Sequence, residues 1–415
     1  MFDSITKGFH RLREGGERYY GVTRVALSLE KLYRQYRQQA EEMPEALRQS
    51  YLEHIHQQGA KKVYQVFHDN GAIWVKFGQF LSSRTDILPM PYVRALEKLQ
   101  DDVEPVPFDE IEPVLLAEWG KDWRQHFTQF DEQAVAAASV AQVHKATLTN
   151  GRQVAVKIQL PQAKEWFKQD SIVFSSVSKV ADLLISQFDL NQVTEQILSM
   201  TLSELDFLNE EANLKKFAAL KHHPIIYVPE VFDDLSTSQI MVTEWVNGIK
   251  LKDYLVQNPS ESEALLQNLL RSYIQQITGF GVYHADPHPG NFIVMGDGRV
   301  AVLDYGALGY LSAEETTHYA TLLQVLFGKM QASESLGELF LKAGFKARDQ
   351  KVFQEVAELV LKESVRDLES TEILAIALEK MRDLKIQIPD SFVALARVIL
   401  TFGGLLTKYQ VSMQQ

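Results

Sequence analysis

The sequence contains no cysteine among its 415 residues. This absence excludes disulfide bonds, thiol catalysis and cysteine-ligated zinc, and it is typical of proteins in a reducing compartment. The eleven histidines form no HExxH pattern and no other close metal-binding spacing, so we expect any metal chemistry to rest on carboxylates. Basic residues are outnumbered: 42 Lys and Arg against 54 Asp and Glu give a formal net charge of -12, which argues against a broad nucleic-acid-binding surface.

Long hydrophobic runs are also missing. A membrane-spanning helix needs roughly 18 or more uninterrupted apolar residues, whereas the nearest candidate, residues 398–406, is shorter and follows Arg397. We therefore expect no transmembrane segment and a cytoplasmic location. Residues 1–20 repeat bulky apolar side chains at helical spacing beside basic ones but lack a signal-peptide cleavage site. This segment is interpreted as an amphipathic helix that either packs on the protein body or contacts an anionic membrane surface.

What is present is typical of a soluble globular protein. Hydrophobic residues make up 46% of the chain and charged residues 23%, and the length allows one large core or two ordinary ones. Residues 1–100 carry apolar side chains at three- and four-residue spacing, which predicts helices with breaks at Pro44, Gly59 and Gly71. From residue 313 onward the pattern is again helical.

The segment 281–310, GVYHADPHPGNFIVMGDGRVAVLDYGALGY, has the residue order of a phosphotransfer site. Asp286 precedes Asn291 by five residues, a Gly/Asp-rich turn at 296–298 separates two short β-rich runs, and Asp304 follows the second run. A loop Asp can orient or deprotonate an attacking hydroxyl, while the Asn and the second Asp can bind magnesium that bridges ATP phosphates. The order matches the kinase pattern HRDxxxxN followed by DFG.

A second phosphate-binding pattern lies in AVAAASVAQVHKATLTNGRQVAVKIQL. Its second part alternates as a β-hairpin, with Asn150 and Gly151 as the turn. Lys157 lies on the return strand in VAVK, which is similar to the kinase strand motif VAIK. Small side chains precede the hairpin where kinases have a Gly-rich turn, and they allow the backbone to approach phosphate. These residues are Ala136, Ala137, Ala138 and Ser139.

Two further stretches place polar residues on single helical faces. In SELDFLNEEANLKKF, Asp206 and Glu210 are four residues apart, and because a like-charged pair destabilises a bare helix, either a cation lies nearby or the face is solvated. In WVKFGQFLSS, Lys76 and Gln79 are three residues apart and share a face.

A hinge that binds the adenine of a nucleotide is predicted at the end of the second of two strands, before a helix. Strands are predicted over 227–235 and 239–246, and a helix over 260–280. The second strand ends at TEWVNG, where the backbone of Glu244 and Val246 is expected to hydrogen-bond an adenine.

In order, the small-residue loop, VAVK, the acidic helix, the hinge, HADPHPGN and LDYG resemble the protein-kinase-like fold. The UbiB-type family of atypical kinases is the more specific match: KFGQ resembles its KxGQ motif, AAAS its Ala-rich loop, ELD its ExD motif and EEAN the end of its helix-C segment. These motifs span roughly residues 76–306. The resemblance implies an α+β, protein-kinase-like bilobal fold with an N-terminal helical extension at 1–110, an N-lobe at 111–248 and a mostly helical C-lobe at 249–415.

The resemblance also implies roles for the site residues. Lys157 would bind the ATP phosphates and pair with Glu210. The position of Glu210 matches the spacing of the family pattern, whereas the position of Glu211 does not. Asp286 would occupy the catalytic-base position. Magnesium would bind two side chains, Asn291 and Asp304.

The extension has an implied regulatory role. Lys76 and Gln79 would lie over the site, with Glu204 and Asp206 contacting the extension or the metal. In the family this arrangement covers the entry for a protein substrate, so ATP hydrolysis, or transfer to a small or isoprenoid-lipid substrate such as a quinone precursor, is expected instead of protein phosphorylation. Tyr305 replaces the Phe of DFG and no APE motif follows, so we expect no phosphorylation-controlled activation loop.

Two other functions remain open from the residues. HADPHPGN is also similar to the HGDxHPGN loop of aminoglycoside and choline phosphotransferases, which would make the chain a small-molecule kinase, although that family has no KFGQ extension. The chain could instead be an ATP-gated scaffold for lipid enzymes. Turnover measurements would separate a scaffold from an enzyme.

Overall fold

The computed structural model describes residues 2–70, 72–82, 88–99, 105–138, 140–161, 205–326, 335–364 and 370–409, with isolated positions between 163 and 202. The side chains of residues 2–20 lie outside this description. The chain forms two compact units. The first comprises Met1–Gly151, Ala155–Asp206 and Thr237–Ile240, and the second Arg152–Val154, Phe207–Ser236 and Met241–Gln415.

The first unit begins with a helical bundle. Its helices are α1 (Phe2–Glu42), α2 (Glu45–Asn70), α3 (Ala72–Ser82) and α4 (Met90–Leu96), followed by α5 (Phe108–Trp119). Helix α2 packs against α1, α3 and α4. The buried core of the bundle consists of Val22, Phe67, Trp74, Val75, Leu96 and Leu99. The predicted break at Pro44 is confirmed, whereas Gly71 lies outside the described residues.

The predicted break at Gly59 is wrong, because α2 continues through it. A Cβ atom at this position would lie 2.0 Å from the hydroxyl oxygen of Tyr92. That hydroxyl is hydrogen-bonded to Tyr33 at 2.9 Å, and Tyr33 also bonds Nδ1 of His56 at 2.7 Å. Gly59 therefore provides space for a polar contact between helices.

Gly78, the glycine of KFGQ, has a similar packing role in α3. A Cβ atom there would lie 2.1 Å from Cδ1 of Leu99 and 3.4 Å from Cδ2 of Leu96. Both leucines belong to the buried core of the bundle. The glycine therefore allows α3 to approach the end of α4.

We expect Gly78→Ala to lower the free energy of unfolding. Overpacking a filled core costs roughly 1–3 kcal/mol, more than the roughly 0.5–1 kcal/mol that Ala gains over Gly inside a helix. Urea unfolding followed by circular dichroism measures the change. Gly21→Ala in α1 is the control, since no described atom lies within 4 Å of its Cβ position. A Gly78→Ala protein as stable as the Gly21→Ala protein would contradict this packing.

The first unit also contains a β-sheet. Its strands are β1 (Phe127–Phe130), β2 (Ala136–Ala137), β3 (Ala141–Leu148) and β4 (Gln153–Gln159, whose first two residues belong to the second unit), preceded by a 3-10 turn at Trp123–His126. Strand β3 lies between β1 and β4 and also pairs with β2. The predicted turn is confirmed: Gly151 has a φ of +85°, and its N–H donates to the carbonyl of Leu148 at 2.8 Å. Glycine adopts this left-handed conformation without a steric penalty.

The second unit combines short sheets with many helices. Its helices are α6 (Phe207–Ala218), α7 (Leu251–Gln257), α8 (Pro259–Gln275), α9 (Ala313–Leu326), α10 (Leu336–Lys342), α11 (Lys351–Ser364), α12 (Ser370–Asp383) and α13 (Asp390–Lys408). Its strands are β5 (Ile226–Tyr227), β6 (Ile240–Glu244, whose first residue belongs to the first unit), β7 (Gly248–Lys250), β8 (Val282–His284), β9 (Phe292–Met295), β10 (Val300–Val302) and β11 (Leu308–Tyr310). One sheet has the order β5-β10-β9-β7, and β11 pairs with β8.

The strand predicted over 227–235 is mostly wrong. Strand β5 ends at Tyr227, and Pro229 follows, which cannot donate a ladder hydrogen bond. The chain then turns, since the carbonyl of Phe232 accepts hydrogen bonds from the N–H groups of Leu235 and Ser236. The helix predicted over 260–280 is confirmed as α8, although its last turn is a π-helix at Gln276–Phe280.

Helix α13 has, among the described helices, the length and composition of a membrane span, with 19 residues and a mean hydropathy of 1.5. Of this apolar window 39% is buried, and Phe392, Leu395 and Phe402 are among the buried residues. Its Arg397 forms an ion pair with Asp286.

Candidate active site

The loop after β8 positions Asp286 beside Asn291. The side-chain nitrogen of Asn291 donates hydrogen bonds to the backbone carbonyl of Asp286 at 3.2 Å and to its Oδ2 at 3.0 Å. The amide nitrogen therefore faces Asp286, and the amide oxygen points away from it. That oxygen is the atom of Asn291 that can bind a metal.

A β-hairpin brings Asp304 back toward Asn291. Strands β9 and β10 are antiparallel, with Phe292 opposite Val302, and the predicted turn at 296–298 is confirmed by a φ of +84° at Gly298. Next to the strands, the N–H of Leu303 donates to the carbonyl of Asn291 at 2.9 Å. Asn291 and Asp304 thus lie at the same end of the hairpin.

The segment around Asp304 is held by a buried histidine. His284 bonds the carbonyl of Asp304 through Nε2 at 2.6 Å and the hydroxyl of Tyr273 through Nδ1 at 3.1 Å. Because a carbonyl only accepts, Nε2 carries the hydrogen and Nδ1 accepts. Burial lowers the pKa of His284, which favours this neutral form. The N–H of Gly306 also donates to Oδ1 of Asp304 at 2.8 Å, fixing the carboxylate.

Helix α6 holds the next residue, Tyr305, by its backbone. Glu210 Oε1 accepts from the N–H of Tyr305 at 3.5 Å, and Asn213 Nδ2 donates to its carbonyl at 3.0 Å. Residues three apart share a helical face, so both side chains reach the same segment. Glu211 instead pairs with Lys215 at 2.6 Å.

The hydroxyl of Tyr305 has no hydrogen-bond partner among the described residues although it is buried. Its ring packs against Phe217 and His284, with ring centroids 5.6 Å and 6.0 Å apart. Burial raises the pKa of Tyr305 far above its ordinary value, so the hydroxyl stays neutral. A buried hydroxyl without a partner costs roughly 1–3 kcal/mol.

We therefore expect Tyr305→Phe to raise the free energy of unfolding by about 1 kcal/mol, since it removes that desolvation cost and keeps the ring. Thermal and urea unfolding measure the change. The matched control is Tyr319→Phe, because the buried Tyr319 does have a partner, Ser391, at 2.7 Å. That change should lower stability by a similar amount. Equal losses in both variants would show that the Tyr305 hydroxyl is hydrogen-bonded.

Arg397 is a site residue that the sequence reasoning missed. Its Nη2 lies 2.9 Å from Oδ1 of Asp286, across 111 residues of sequence, and the two side chains are 29% and 36% exposed. Each carboxylate oxygen of Asp286 therefore has its own donor, Arg397 for one and Asn291 for the other. The available signal was a single arginine inside an otherwise apolar helix.

The predicted hinge residues lie at the end of β6, where Glu244 is the last strand residue, and just after it. Glu244 Oε2 accepts hydrogen bonds from the hydroxyl of Tyr227 at 2.6 Å and from the N–H of Glu230 at 3.4 Å. Partial burial and this bond raise the pKa of Tyr227 to about 12. Val246 is buried, and no described residue accepts a hydrogen bond from its backbone N–H. The predicted hydrogen bonds from the hinge backbone to an adenine stay predictions.

The other predicted nucleotide-binding residues lie in the first unit. Ala136 and Ala137 form β2, Ala138 follows it, and Ser139 lies outside the described residues. Lys157 lies on β4 and is partly buried. The ion pair between Lys157 and Glu210 stays a prediction.

The regulatory residues are only partly described. Lys76 and Gln79 belong to α3, but their side chains, like Glu204 as a whole, lie outside the described residues. Asp206 is partly buried immediately before α6. Their predicted contacts therefore stay predictions.

A magnesium site at Asn291 and Asp304 fits the donor chemistry. The amide and carboxylate oxygens are hard ligands of the kind that magnesium prefers. Among the described residues, no group of three or more histidine, aspartate and glutamate side chains could hold a metal. Phosphate oxygens and water would therefore have to complete the coordination shell.

Comparison with known proteins identifies relatives of this chain. It is 36% identical over 256 residues to an uncharacterized protein in the hydrogenase 1 5' region of Clostridium pasteurianum, covering 60% of this chain and 48% of that protein. It is 30% identical over 296 residues to AarF domain-containing protein kinase 1 of Mus musculus, covering 68% and 56%. The chain thus spans about half the length of these curated relatives.

A solved structure and a family model agree with these relatives. Rv3197 of Mycobacterium tuberculosis, solved as a complex with erythromycin, is similar with a TM-score of 0.61 and 26% identity, over 88% of this chain and 95% of that one. The predicted α+β, kinase-like fold is confirmed. The ABC1 atypical kinase-like domain model matches residues 98–333, more than half of the chain. The chain therefore belongs to the ABC1 atypical kinase-like family, which confirms the UbiB-type assignment made from its motifs.

Proposed function

We propose that this chain is an atypical kinase or ATPase that binds Mg-ATP and cleaves its terminal phosphoanhydride bond. The observation that carries the proposal is the convergence of Asp286, Asn291 and Asp304. Asn291 bonds Asp286 through its side chain and Leu303, the neighbour of Asp304, through its backbone. This arrangement suits one proton acceptor beside two metal ligands.

Each residue has a role in this proposal. Magnesium, when bound by Asn291 and Asp304, would neutralise charge on the phosphates. Asp286 orients the attacking hydroxyl or water and accepts its proton as oxygen attacks the terminal phosphorus and ADP leaves. Lys157 binds the phosphates and Glu210 pairs with it. The adenine would contact the hinge backbone at Glu244 and Val246, and the phosphates the loop at Ala136, Ala137, Ala138 and Ser139.

The test is ATP binding by calorimetry together with phosphate release, with magnesium and with a chelator. We expect binding and turnover only with the divalent ion. Failure of the wild-type protein to bind ATP in magnesium would refute the proposal.

In the proposed domain organisation, residues 1–110 are the extension, 111–248 the nucleotide-binding lobe and 249–415 the lobe with the catalytic loop.

We further propose that the activity supports ubiquinone or other isoprenoid-lipid metabolism, and that KFGQ suppresses protein phosphorylation. The family assignment supports this proposal. Turnover should rise with liposomes that carry isoprenoid quinone precursors, and a generic protein should receive little phosphate. Lys76→Ala should change ATP affinity or turnover.

The N-terminal helix has its own test. Deleting residues 1–20 should weaken sedimentation with anionic liposomes if that helix contacts the membrane.

A small-molecule kinase is the second candidate. HADPHPGN supports it, as does the similarity to a protein solved in complex with erythromycin. Incubation with labelled ATP and erythromycin, an aminoglycoside or choline tests it, since transfer of label would favour this function. ATP binding without turnover under all these conditions would instead favour an ATP-gated scaffold.

A further inference from the structure

Gln142, a buried polar residue near the start of β3, is hydrogen-bonded both to the linker between α4 and α5 and to the buried His144. The N–H of Val106 donates to Oε1 of Gln142 at 3.0 Å, and Nε2 of Gln142 donates to the carbonyl of Val106 at 3.3 Å. The same nitrogen bonds Nε2 of His144 at 3.0 Å. Gln142 and His144 are 1% and 0% exposed, so water cannot replace these bonds.

The tautomer of His144 fixes the orientation of Gln142. Nδ1 of His144 lies 2.9 Å from the carbonyl of Asp131, which only accepts, so Nδ1 carries the hydrogen. Nε2 then has a lone pair and accepts from the Gln142 amide. Burial lowers the pKa of His144, in agreement with a neutral ring between Phe108 and Phe130, whose centroids lie 5.7 Å and 5.5 Å away. If the amide of Gln142 were reversed, its oxygen would face the lone pair on Nε2 of His144, and no hydrogen bond could form.

Gln142 also lies beside the Ala-rich loop. In the pairing of β2 with β3, Gln142 is directly opposite Ala137. The loop closes with the N–H of Ala138 donating to the carbonyl of Ala141 at 2.7 Å. One side chain therefore joins Val106 to the strand pair that carries the loop.

The other end of the linker is held by the helical bundle. Leu99 belongs to the bundle core and packs on Gly78 of KFGQ, where a Cβ atom would approach it to 2.1 Å. Seven residue steps separate Leu99 from Val106, which span at most about 25 Å. Leu99 therefore lies beside KFGQ, and Val106, seven residues further along the chain, is bonded to Gln142 beside the Ala-rich loop.

We propose that Gln142 is a positioning residue that couples the N-terminal helical extension to the Ala-rich loop, so that ATP binding and the placement of the KFGQ helix depend on each other. The inference rests on the proposed function in one respect, that the loop binds ATP. Coupling of this kind is reciprocal. A ligand that moves the extension therefore changes ATP affinity, and ATP changes the affinity for that ligand by the same factor.

The first test is Gln142→Met, which keeps side-chain length and removes the hydrogen bonds. We expect the Kd for a fluorescent ATP analogue in magnesium to rise at least about fivefold. Hydrogen exchange should accelerate at Val106 and across the loop at Ala136–Ala138. The matched control is Gln153→Met, because Gln153 is exposed on β4 and should change neither quantity.

The second test is Gln142→Glu, which makes the coupling depend on pH. The new carboxylate cannot donate to the lone pair of His144, but protonated His144 can donate to the carboxylate, whose other oxygen still accepts from the linker. The carboxylate beside the ring favours protonated His144 and so opposes the lowering of its pKa by burial. ATP affinity should therefore be closer to that of the wild type at pH about 6 than at pH about 8. The charged groups around the ring, Asp131, Glu132 and Arg124 over Phe108, are common to all variants.

The outcomes separate this inference from the proposed function. If Gln142→Met accelerates exchange at Val106 but leaves the loop and the Kd unchanged, the coupling is wrong while ATP binding stands. If the wild type binds no nucleotide, the proposed function fails, and exchange alone decides the coupling: faster exchange of the loop in Gln142→Met supports it, and unchanged exchange overturns it. If Gln142→Met does not fold, the same affinity for Gln142→Glu at both pH values overturns it.

Discussion

Replacing Asp304 with asparagine is expected to abolish magnesium-dependent ATP turnover, with a fall of at least roughly 100-fold. Metal stabilisation of phosphate charge is worth several kcal/mol, and each 1.4 kcal/mol is about a factor of ten in rate. The substitution keeps an oxygen that can accept from the N–H of Gly306, and the carbonyl bonded to His284 is unchanged. The hairpin should therefore keep its structure while the metal loses a charged ligand.

Asp297→Asn is the matched control for this prediction. Asp297 lies in the turn of the same hairpin, is exposed, and pairs with Arg299 at 2.7 Å. The same chemical change there should leave turnover unchanged. Phosphate release measured over a range of magnesium concentrations compares the two variants with the wild type. Magnesium-dependent rates for Asp304→Asn equal to those of the wild type would remove Asp304 from the metal site.

Arg397→Met is expected to lower turnover by at least about tenfold while the protein remains folded. The change removes the charged donor from Oδ1 of Asp286 and leaves Asn291 as the donor to the other oxygen. The carboxylate can then rotate away from the position in which it orients the attacking group, and misplacement by about 1 Å can cost roughly 100-fold. Because both side chains are partly exposed, the loss of stability should stay within about 1 kcal/mol.

The control for Arg397 is Arg382→Met on the neighbouring helix α12. Arg382 pairs with Glu379 at 3.2 Å and Asp383 at 2.8 Å, so its loss should affect stability and not turnover. Saturation kinetics and thermal unfolding separate the two effects. If Arg397→Met has the kcat of the wild type at saturating ATP, the ion pair has no part in positioning Asp286.

The features that the sequence predicted well are local. The turns at Gly151 and at 296–298 are confirmed because glycine at a positive φ between two β-rich runs has few other structural uses. The approach of Asn291 to Asp304 follows from the second of these hairpins, because residues 292–303 between them form two paired strands and a turn. The order of kinase-like motifs then identified the family.

The features that the sequence did not predict depend on distant partners. The sequence predicts a helix break at Gly59, but the glycine lies within a helix, where its lack of a Cβ atom leaves space for Tyr92. In the sequence Arg397 only interrupts an apolar run, because its partner Asp286 lies 111 residues away. Gln142 lies in a strand that looks unremarkable without knowledge of Val106. In each case the residue type allows several uses, and the tertiary contact selects one.

The hydrogen bonds around Asp304 and Tyr305 should lower the entropic cost of the proposed nucleotide binding. His284 holds one carbonyl, Asn213 the next, and Glu210 the amide between them. A segment fixed in this way before the ligand arrives is preorganised, so binding need not order it and little conformational entropy is lost there. Calorimetry should show a small heat-capacity change, without the large negative value of coupled folding, and nucleotide exchange should be limited by dissociation and not by refolding of this segment.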